Sequence, residues 1–587
     1  MVRFLLLTVL VFIAAKVVFM LCHAADHPFS IGDVFNVVAH GLSLDLSTAL
    51  YFLSVPFLLT IASLWVRLPG WLLKGYYTLV ALAFALAFFA DTVLYSFWQF
   101  KLDASCLQYL ETPTEAMASL RPGYLMIILL SLMVLAGAIY KAYDTIARRP
   151  TPYNGSWREA IVYVLAIPLI VIGIRGGIGD ATTNIGQVYY SQNQFLNHSA
   201  VNPVFSFFYS LTHQLDDLSQ YEFYDDETRQ QLVDGVYTTE STATDTLLTT
   251  DRPSIIVVLM EGAGEEFASV MPHLQQLKQQ GVYFSQCYAN SWRTDRGTVA
   301  VLSGYPTFPT VSVMKMPEKS RLLPSIAQRL KAEGYATHFL YGGDANFTNM
   351  RSYILSTGWD RLTSIEDFAR GEQRSSQWGV RDDITSKRVT DISSHLQQPF
   401  LVGYSTLSSH EPWDVPVKKM DDEVLNSFAY LDDCLYDMVE QLRKTPLWDN
   451  LLIVLTADHG INYQQIGSTT PLLKNHIPML WIGGAVRQPR TVDVLCNQTD
   501  LAATLLSQMG IGHADFTFSR DVLSATYTYP LAVNNCNNAQ WIVDSTGHVL
   551  YDFDSQRIVV SEGSDTDRLL RLSKAILQTT SNDLQKR

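Results

Sequence analysis

The chain has 587 residues, too many for one ordinary domain core, and 48% of them are hydrophobic whereas only 17% are charged. The formal net charge of −14 argues against a nucleic-acid-binding protein, because such proteins present a basic face to phosphates. The low charged fraction indicates that part of the chain lies in lipid.

Five apolar stretches occur before residue 175, each near the roughly 20 residues that a helix needs to cross hydrocarbon. They are Phe4–Leu21, Leu46–Val66, Tyr76–Phe97, Tyr124–Tyr140 and Ala160–Ile174. The first lacks a clear small-x-small cleavage site before the next span, so we interpret it as a retained anchor rather than a signal peptide.

Charges in the short loops predict the orientation of these spans. Arg67 and Lys74 lie between spans two and three, a basic cluster at 141–158 lies between spans four and five, and Cys22–Asp45 contains no Lys or Arg. The positive-inside rule then places the N-terminus in the cytoplasm and everything after Ile174 outside the inner or plasma membrane. Four spans plus one buried amphipathic helix would instead place the large domain inside.

Three ionisable residues, His40, Asp45 and Asp91, lie near predicted span ends. They could line a lipid-facing groove, because ionisable groups inside a membrane often serve function. Their closeness to the interface favours snorkelling or helix capping instead.

The rest of the chain divides into three predicted regions. Residues 176–252 form a connector with an amphipathic helix at 205–218, residues 253–525 form an α/β domain, and residues 526–587 form a small antiparallel appendage followed by a helix. Continuous apolar strands alternating with helices predict a largely parallel sheet covered on both faces. The predicted strands are 254–260, 282–289, 337–342, 400–407, 451–457 and 479–484, and the predicted helices between them are Leu323–Glu333, Asp383–Leu396, Asp422–Arg443 and Thr499–Met509.

Six cysteines are scattered without CxxC spacing and give no sign of a metal cluster. Cys496 and Cys536 could pair if their region faces an oxidising compartment. Two free buried thiols are an equally good interpretation.

Metal-ligating residues follow two of the apolar strands. Strand 254–260 ends on Glu261, and strand 451–457 ends on Asp458 and His459. In parallel sheets ligands gather at the carboxyl ends of strands, and this donor set suits Zn²⁺ or Mn²⁺.

A hydroxyl could complete this site. Thr294 falls at the start of a helical run in "NSWRTDRGTVAVLSG", and Ser291 and Thr298 are rival nucleophiles nearby. A hydroxyl bound to a divalent ion is an activated nucleophile, and a helix N-terminus beneath it favours an incoming phosphate. The arrangement predicts displacement at phosphorus.

Four motifs together, "VVLMEG", "ANSWRTDRGTVAVLSGYP", "TLSSHEPW" and "LTADHG", resemble the extracellular domain of the lipoteichoic acid synthase family. That family belongs to the alkaline phosphatase/sulfatase-like superfamily and carries five N-terminal spans, so the resemblance covers nearly the whole chain. The formylglycine-sulfatase signature Cys/Ser-x-Pro-x-Arg is absent, because Thr294 is followed by Asp295, Arg296 and Gly297.

The resemblance implies one divalent ion, usually Mn²⁺ with Zn²⁺ or Mg²⁺ possible, held by Glu261, Thr294, Asp458 and His459. It favours Thr294 over its rivals, since Thr294 matches the family's basic-residue-then-Thr pattern. Thr294 would take phosphoglycerol from phosphatidylglycerol and pass it to a glycan, lipid or polymer hydroxyl at the membrane, through a phosphothreonine intermediate.

Three further residues carry over from the family. His410, in "SSHEPW", resembles a histidine that contacts the head group, and it is also a candidate general acid/base. Arg351 resembles an arginine that binds phosphate oxygens, and His476 resembles a histidine near the metal in phosphoethanolamine transferases. The alternative interpretations are a loop hydrogen bond for His410, a surface charge for Arg351 and a structural role for His476.

The chain also departs from the family pattern. Tyr341 stands where many lipoteichoic acid synthases have His, and Thr348-Asn349-Met350-Arg351 replaces a Trp-Asn-Arg. These positions shape the glycerol pocket, so transfer of phosphoethanolamine from phosphatidylethanolamine to lipid A or a glycan is the alternative activity. A non-catalytic sensor or scaffold is the third hypothesis.

Overall fold

The computed structural model describes residues 1–98, 101–102, 104, 106, 122–147, 156–179, 181–191, 193–212, 218–237, 243–461, 463, 471–536, 539–553 and 555–587. Contacts divide the chain into two compact units, Met1–Gln214 and Leu215–Arg587. The boundary falls inside the stretch that the sequence presents as a connector.

The first unit contains five helices long and apolar enough to cross a membrane, as the sequence predicts. Their bounds are Val2–Cys22 (α1), Ile31–Ser63 (α2), Gly70–Trp98 (α3), Pro122–Ala142 (α4) and Trp157–Arg175 (α5). Helix α2 begins at Ile31 rather than at Leu46. Ser30 and Asp33 form a capping box there, and the helix continues through a more polar stretch that an apolar-run criterion does not include.

The interpretation of Asp45 and Asp91 as snorkelling or helix-capping groups is wrong, because both lie in buried ion pairs. Asp45 is fully buried, and its carboxylate lies 2.7 Å from the Nζ of Lys16, which is also buried. Asp91 is buried in an ion pair with Lys101. The apolar surroundings of a buried carboxylate favour a charged partner, and the sequence spacing gave no sign of these partners.

Two short helices follow in the first unit, Gln194–Ala200 (α6) and Pro203–Thr212 (α7), and Asp226–Val233 (α8) begins the second unit. Helix α7 matches the first part of the predicted amphipathic helix at 205–218. Residues 213–217 and the start of the Thr-rich stretch, 238–242, lie outside the described residues.

An eight-stranded sheet forms the centre of the second unit, in the order β5-β4-β6-β1-β7-β8-β2-β9. Every pairing is parallel except those of β8, which runs antiparallel to β7 and β2. The bounds are Ser254–Met260 (β1), Val282–Phe284 (β2), Cys287–Tyr288 (β3, outside this sheet), Ala336–Tyr341 (β4), Arg361–Thr363 (β5), Phe400–Ser405 (β6), Leu451–Ala457 (β7), Met479–Ile482 (β8) and Arg490–Val492 (β9). The largely parallel α/β fold is therefore confirmed.

Central strands β1, β6 and β7 are buried at every residue, which explains their unbroken apolar sequences. Helices accompany the strands along the chain, as in other doubly covered sheets. Their bounds are Pro272–Lys278 (α9), Thr294–Ser303 (α10), Pro317–Ser320 (α11), Ile326–Ala332 (α12), Met350–Ser356 (α13), Asp382–His395 (α14), Glu423–Arg443 (α15), Pro471–Asn475 (α16) and Leu501–Gln508 (α17).

Strand Cys496–Asn497 (β10) pairs in parallel with β3, which places Cys496 beside Cys287. Both are buried free thiols. The side chain of Cys536 lies outside the described part of the chain, so the proposed pair with Cys496 is not tested.

The C-terminal appendage is an antiparallel four-stranded sheet, as predicted. It comprises Leu531–Cys536 (β11), Ala539–Asp544 (β12), Gly547–Asp552 (β13) and Arg557–Gly563 (β14), followed by helix Thr566–Lys586 (α18). One apolar cluster joins the sheet to α18 through residues such as Ile542 and Leu572.

Candidate active site

Adjacent parallel strands bring two carboxylates together at one edge of the sheet. β1 and β7 are in register with Met260 opposite Ala457, so the next residues, Glu261 and Asp458, emerge side by side. The backbone N–H of Gly262 donates to Asp458 Oδ1 at 2.9 Å, which fixes that carboxylate. Both acids are buried.

His459 lies against both carboxylates. Its Nε2 is 3.3 Å from Glu261 Oε1 and 3.7 Å from Asp458 Oδ2. Its other ring nitrogen, Nδ1, lies 3.2 Å from the Gly460 carbonyl oxygen, which orients the ring with Nε2 towards the acids.

Thr294 is the first residue of α10, and its hydroxyl reaches the same cluster. Thr294 Oγ1 donates to Glu261 Oε2 at 2.9 Å and lies 3.5 Å from His459 Nε2. Helix N-termini expose unpaired N–H groups and favour anions. The hydroxyl is therefore placed where a phosphate, the helix N-terminus and the carboxylates would meet.

Burial and mutual repulsion shift the pKa values of this cluster. Burial, and then the charge of Glu261, raise the pKa of Asp458. Burial alone would raise the pKa of Glu261, but contact with His459 outweighs it and lowers that pKa. Burial opposes the charged form of His459, yet the two acids raise its pKa. The cluster therefore retains positive charge on His459 or a proton on Asp458.

These residues fit a divalent cation. One donor atom from each of Glu261, Asp458 and His459 lies within 4.8 Å of the others. Asp458 Oδ2 is buried and has no hydrogen-bond partner among the described residues. Such an orphaned carboxylate oxygen is expensive unless a cation or ligand satisfies it. Carboxylate, imidazole and hydroxyl donors suit Mn²⁺ or Zn²⁺.

The loop after β6 holds the backbone of Glu261 from the other side. The Glu261 N–H donates to Thr406 Oγ1 at 2.9 Å, and Ser409 Oγ donates to the Glu261 carbonyl oxygen at 2.6 Å. Asp382, at the start of α14, accepts the N–H groups of Leu407 and Ser408 at 2.9 and 3.0 Å. Asp382 thus fixes the loop that carries the next candidate residue.

His410 follows in that loop. After His459, the charge of His410 also helps to lower the pKa of Glu261. Its Nδ1 lies 2.8 Å from the Glu411 carbonyl oxygen, and its ring centroid is 4.6 Å from that of Trp378. The ring is partly exposed, so a substrate could reach it.

Arg351 and His476 make protein contacts of their own. Arg351 forms an ion pair with Glu366, and its Nε donates to Asn346 Oδ1 at 2.9 Å. His476 Nε2 lies 2.8 Å from the Ser285 carbonyl oxygen, and its ring stacks on Tyr288. Their predicted roles with substrate stay predictions.

The rival nucleophiles occupy different surroundings. Ser291 is 1% exposed and Thr298 is fully buried, whereas Thr294 is partly exposed. Ser291 Oγ lies 3.5 Å from the Asn535 carbonyl oxygen. The geometry therefore offers the hydroxyl of Thr294 to an incoming substrate more readily than either rival.

Sequence reasoning missed the supporting residues Asp382, Thr406 and Ser409. Ser409 lies in the motif "TLSSHEPW", so its position beside His410 was a usable signal. The sequence gives no such signal for Asp382, because a single acid at a helix start is common and the backbone groups that it binds lie 25 and 26 residues away.

Comparison with known proteins agrees with this architecture. Residues 253–511 match the sulfatase family. A solved structure of a protein in the alkaline phosphatase superfamily from Vibrio parahaemolyticus superposes with a TM-score of 0.55 at 25% identity, covering 63% of this chain and 98% of that one.

Two curated relatives bear names that describe an activity. Phosphoglycerol transferase I of Xanthomonas axonopodis pv. citri (strain 306) is 24% identical over 284 residues, 44% of this chain and 40% of the relative. Lipoteichoic acid synthase 2 of Bacillus subtilis (strain 168) is 24% identical over 237 residues, 36% of each chain. The chain thus matches less than half the length of either relative. Residues 253–511 thus match the sulfatase family, and part of the chain is similar to proteins named phosphoglycerol transferase and lipoteichoic acid synthase.

Proposed function

We propose that the protein is a membrane-anchored phosphotransferase that moves phosphoglycerol from phosphatidylglycerol to an acceptor hydroxyl. The contact of Thr294 Oγ1 with Glu261 Oε2 at 2.9 Å, within a buried carboxylate–histidine cluster, carries this proposal. The names of the two relatives support phosphoglycerol as the transferred group.

Glu261, Thr294, Asp458 and His459 would hold one divalent ion, Mn²⁺ on the family resemblance. When bound, such an ion lowers the pKa of a ligated hydroxyl and offsets phosphate charge. The protein's own residues do the rest. Glu261 accepts the hydrogen bond of Thr294 and orients its oxygen, and the N-terminus of α10 favours the phosphate.

In the first step Thr294 Oγ1 gives its proton to Glu261, which accepts its hydrogen bond, and forms a bond to phosphorus while the bond to the diacylglycerol oxygen breaks. His410 donates a proton to that leaving oxygen. In the second step an acceptor hydroxyl gives its proton to His410 and attacks phosphothreonine, the bond from phosphorus to Thr294 breaks, and Glu261 returns its proton to the Thr294 oxygen. Each step conserves atoms and protons, and the second step reverses the proton transfer of the first.

The direct test measures diacylglycerol release by the purified full chain in detergent with Mn²⁺. We expect release from phosphatidylglycerol, loss of release in Thr294→Ala, and phosphothreonine on the peptide that contains Thr294 when acceptor is withheld. Thr298→Val is the matched control, because it removes a hydroxyl one turn further along α10. Release from phosphatidylethanolamine alone would move the protein to phosphoethanolamine transfer, and phosphate on Thr298 would refute our assignment.

We also propose that the second unit lies outside the cytoplasm. Five apolar helices and the basic loops between them support this orientation. Reporter fusions at the C-terminus, active only outside the cytoplasm, should be active. Activity of a cytoplasmic reporter at the same position would contradict the orientation.

A further inference from the structure

Two cysteines, Cys287 and Cys496, lie opposite each other on neighbouring strands, and we call them the cysteine pair. Strands β3 and β10 run in parallel, with Cys287 paired to Cys496 and Tyr288 paired to Asn497. Neighbouring strands lie about 4.8 Å apart, which is within the roughly 4.4–6.8 Å that separates the Cα atoms of a disulfide. The backbone therefore brings the two cysteines within range of a disulfide bond.

The two thiols are also in contact. A hydrogen bond with Cys287, and then burial, raise the pKa of the Cys496 thiol. Both residues are fully buried in the apolar core of the second unit. Another buried cysteine, Cys434, lies on α15 instead, where burial and then the charge of Asp382 raise the pKa of its thiol. Cys434 thus provides a buried thiol in different surroundings for comparison.

The chain segment after β3 leads to the proposed nucleophile. Thr294 begins α10, the next helix after Cys287 along the chain. Between them, Asn290 Nδ2 donates to Asn497 Oδ1 at 2.6 Å, and Asn497 Nδ2 donates to the Tyr288 carbonyl oxygen at 2.7 Å. The segment that carries the nucleophile is therefore held to the segment that follows β10.

The segment after β10 leads to the acids of the site. Gln498 lies two residues after Cys496, and its Oε1 accepts the Asn290 N–H at 3.1 Å. Its Nε2 donates to the Ala457 and Asp458 carbonyl oxygens at 2.7 and 2.8 Å. A covalent bond within the cysteine pair would therefore join the strand that leads to the nucleophile to the strand whose continuation holds Asp458.

We propose that Cys287 and Cys496 are joined by a disulfide bond in the mature protein. The inference rests on the proposed placement of the second unit outside the cytoplasm, since disulfides form and persist in oxidising compartments. The oxidant is a disulfide that reacts by exchange. One cysteine thiolate attacks it and releases a thiol, and the other cysteine then attacks the mixed disulfide, so two protons and two electrons pass to the oxidant. Because both sulfurs are buried in the finished fold, this exchange occurs during folding.

The first test maps the thiols of the full chain isolated from membranes, denatured in N-ethylmaleimide and digested without reductant. We expect the peptide that contains Cys287 to be linked to the peptide that contains Cys496. A link from Cys496 to Cys536 would overturn the proposal. So would alkylation of both members of the pair in a chain whose C-terminal reporter is active outside the cytoplasm.

A second arm separates this proposal from the proposed orientation. If the reporter places the second unit in the cytoplasm, the orientation fails, and the pair is tested in full chain made by cell-free synthesis in lipid nanodiscs with oxidised glutathione. That protein folds under oxidising conditions whichever side of a membrane the unit occupies in cells. A linked peptide there supports the proposal, and free thiols there refute it.

A stability measurement tests what the bond does. It closes a loop of about 200 residues, which restricts the unfolded chain, so a phosphine reductant should lower the urea midpoint of the wild type by about 1 M. The double variant Cys287→Ala/Cys496→Ala should show no such shift. Cys434→Ala is the matched control, because it removes a buried thiol outside the pair, and it should keep the wild-type shift. Equal midpoints of the wild type with and without reductant would refute the bond.

Discussion

Gly297 lies against the backbone of Asp458, and a Cβ on Gly297 would sit 2.1 Å from the Asp458 carbonyl oxygen. Gly297 belongs to the helix that begins at Thr294, so the contact sets how closely the nucleophile approaches the acids. The same carbonyl oxygen accepts a hydrogen bond from Gln498 Nε2 at 2.8 Å, which keeps it from moving away.

Gly297→Ala should therefore abolish donor cleavage and destabilise the domain. The methyl group must push α10 away from β7, and such overpacking costs about 1–3 kcal/mol. Diacylglycerol release and a urea unfolding curve measure the two effects. Gly371→Ala is the control, because no atom lies within 4 Å of its Cβ position. Full activity in Gly297→Ala would show that the helix position is not critical.

The substitution Asp458→Asn should stabilise the metal-free protein but destabilise it relative to the wild type when metal is bound. Without metal, two buried carboxylates repel each other, so Asp458→Asn should unfold at a higher temperature than the metal-free wild type. With Mn²⁺ at 100 times its dissociation constant, the wild type should gain about 2.7 kcal/mol while the variant gains little. Differential scanning fluorimetry across a Mn²⁺ series gives both values.

The control for that experiment is Asp433→Asn, since Asp433 also faces a histidine, His273, at 3.6 Å on the surface. Its Mn²⁺ response should match the wild type. Equal stabilisation of Asp458→Asn by Mn²⁺ would remove Asp458 from the ligand set.

His410→Gln should lower kcat/KM for phosphatidylglycerol about 100-fold or more, the usual contribution of a general acid/base. Bound metal, measured by mass spectrometry, should stay at the wild-type level, because His410 is not among the proposed ligands. His395→Gln replaces a histidine whose side chain is 79% exposed and should change neither quantity. A parallel loss of metal would make His410 part of the metal site instead.

Much of the site was predictable from sequence because strand ends in a parallel sheet meet at one edge. Glu261 and Asp458 each follow an unbroken apolar strand, and the β1–β7 register then makes them neighbours. Thr294 was predictable from its place at the start of a helical run. Long apolar strands and a helix start are local signals, and they need no knowledge of distant contacts.

The remaining features depend on contacts between distant residues. Lys16 and Asp45 are 29 residues apart and pair only because α1 and α2 pack together. Trp378 contacts His410 and Phe347 only because three loops come together, and no periodicity in the sequence encodes the shapes of those loops. Strand β5 has three residues and is too short to show an alternating pattern.

Asp382 should make stability depend on pH. Burial raises the pKa of its carboxyl to about 6, with Tyr404 and Cys434 as the titratable groups that also face it. Between about pH 4 and 6 the folded protein therefore holds a proton that the unfolded chain has lost. Its contribution to the unfolding free energy should fall by roughly 3 kcal/mol as pH rises through this window.

Asp382→Asn should flatten this slope in urea unfolding curves of the full chain recorded from pH 4 to 7. Asp383→Asn is the neighbouring control. Burial raises the pKa of Asp383, but Tyr430 and Arg381 outweigh it and lower that pKa, so Asp383 titrates below the window. An unchanged slope in Asp382→Asn would assign the pH dependence to other groups.

The ion pair between Lys16 and Asp45 should hold α1 to α2 in the membrane unit. Lys16 Nζ donates to Asp45 Oδ2 at 2.7 Å and to the Gly41 carbonyl oxygen at 3.0 Å, and Asn202 Nδ2 donates to Asp45 Oδ1 at 2.9 Å. Removing one partner leaves a buried charge, so Lys16→Met and Asp45→Leu should each cost about 3–5 kcal/mol. The double variant should cost less than the sum, because it leaves neither charge unpaired. Detergent unfolding of the four proteins measures this cycle, and additive losses would show that the two side chains act independently.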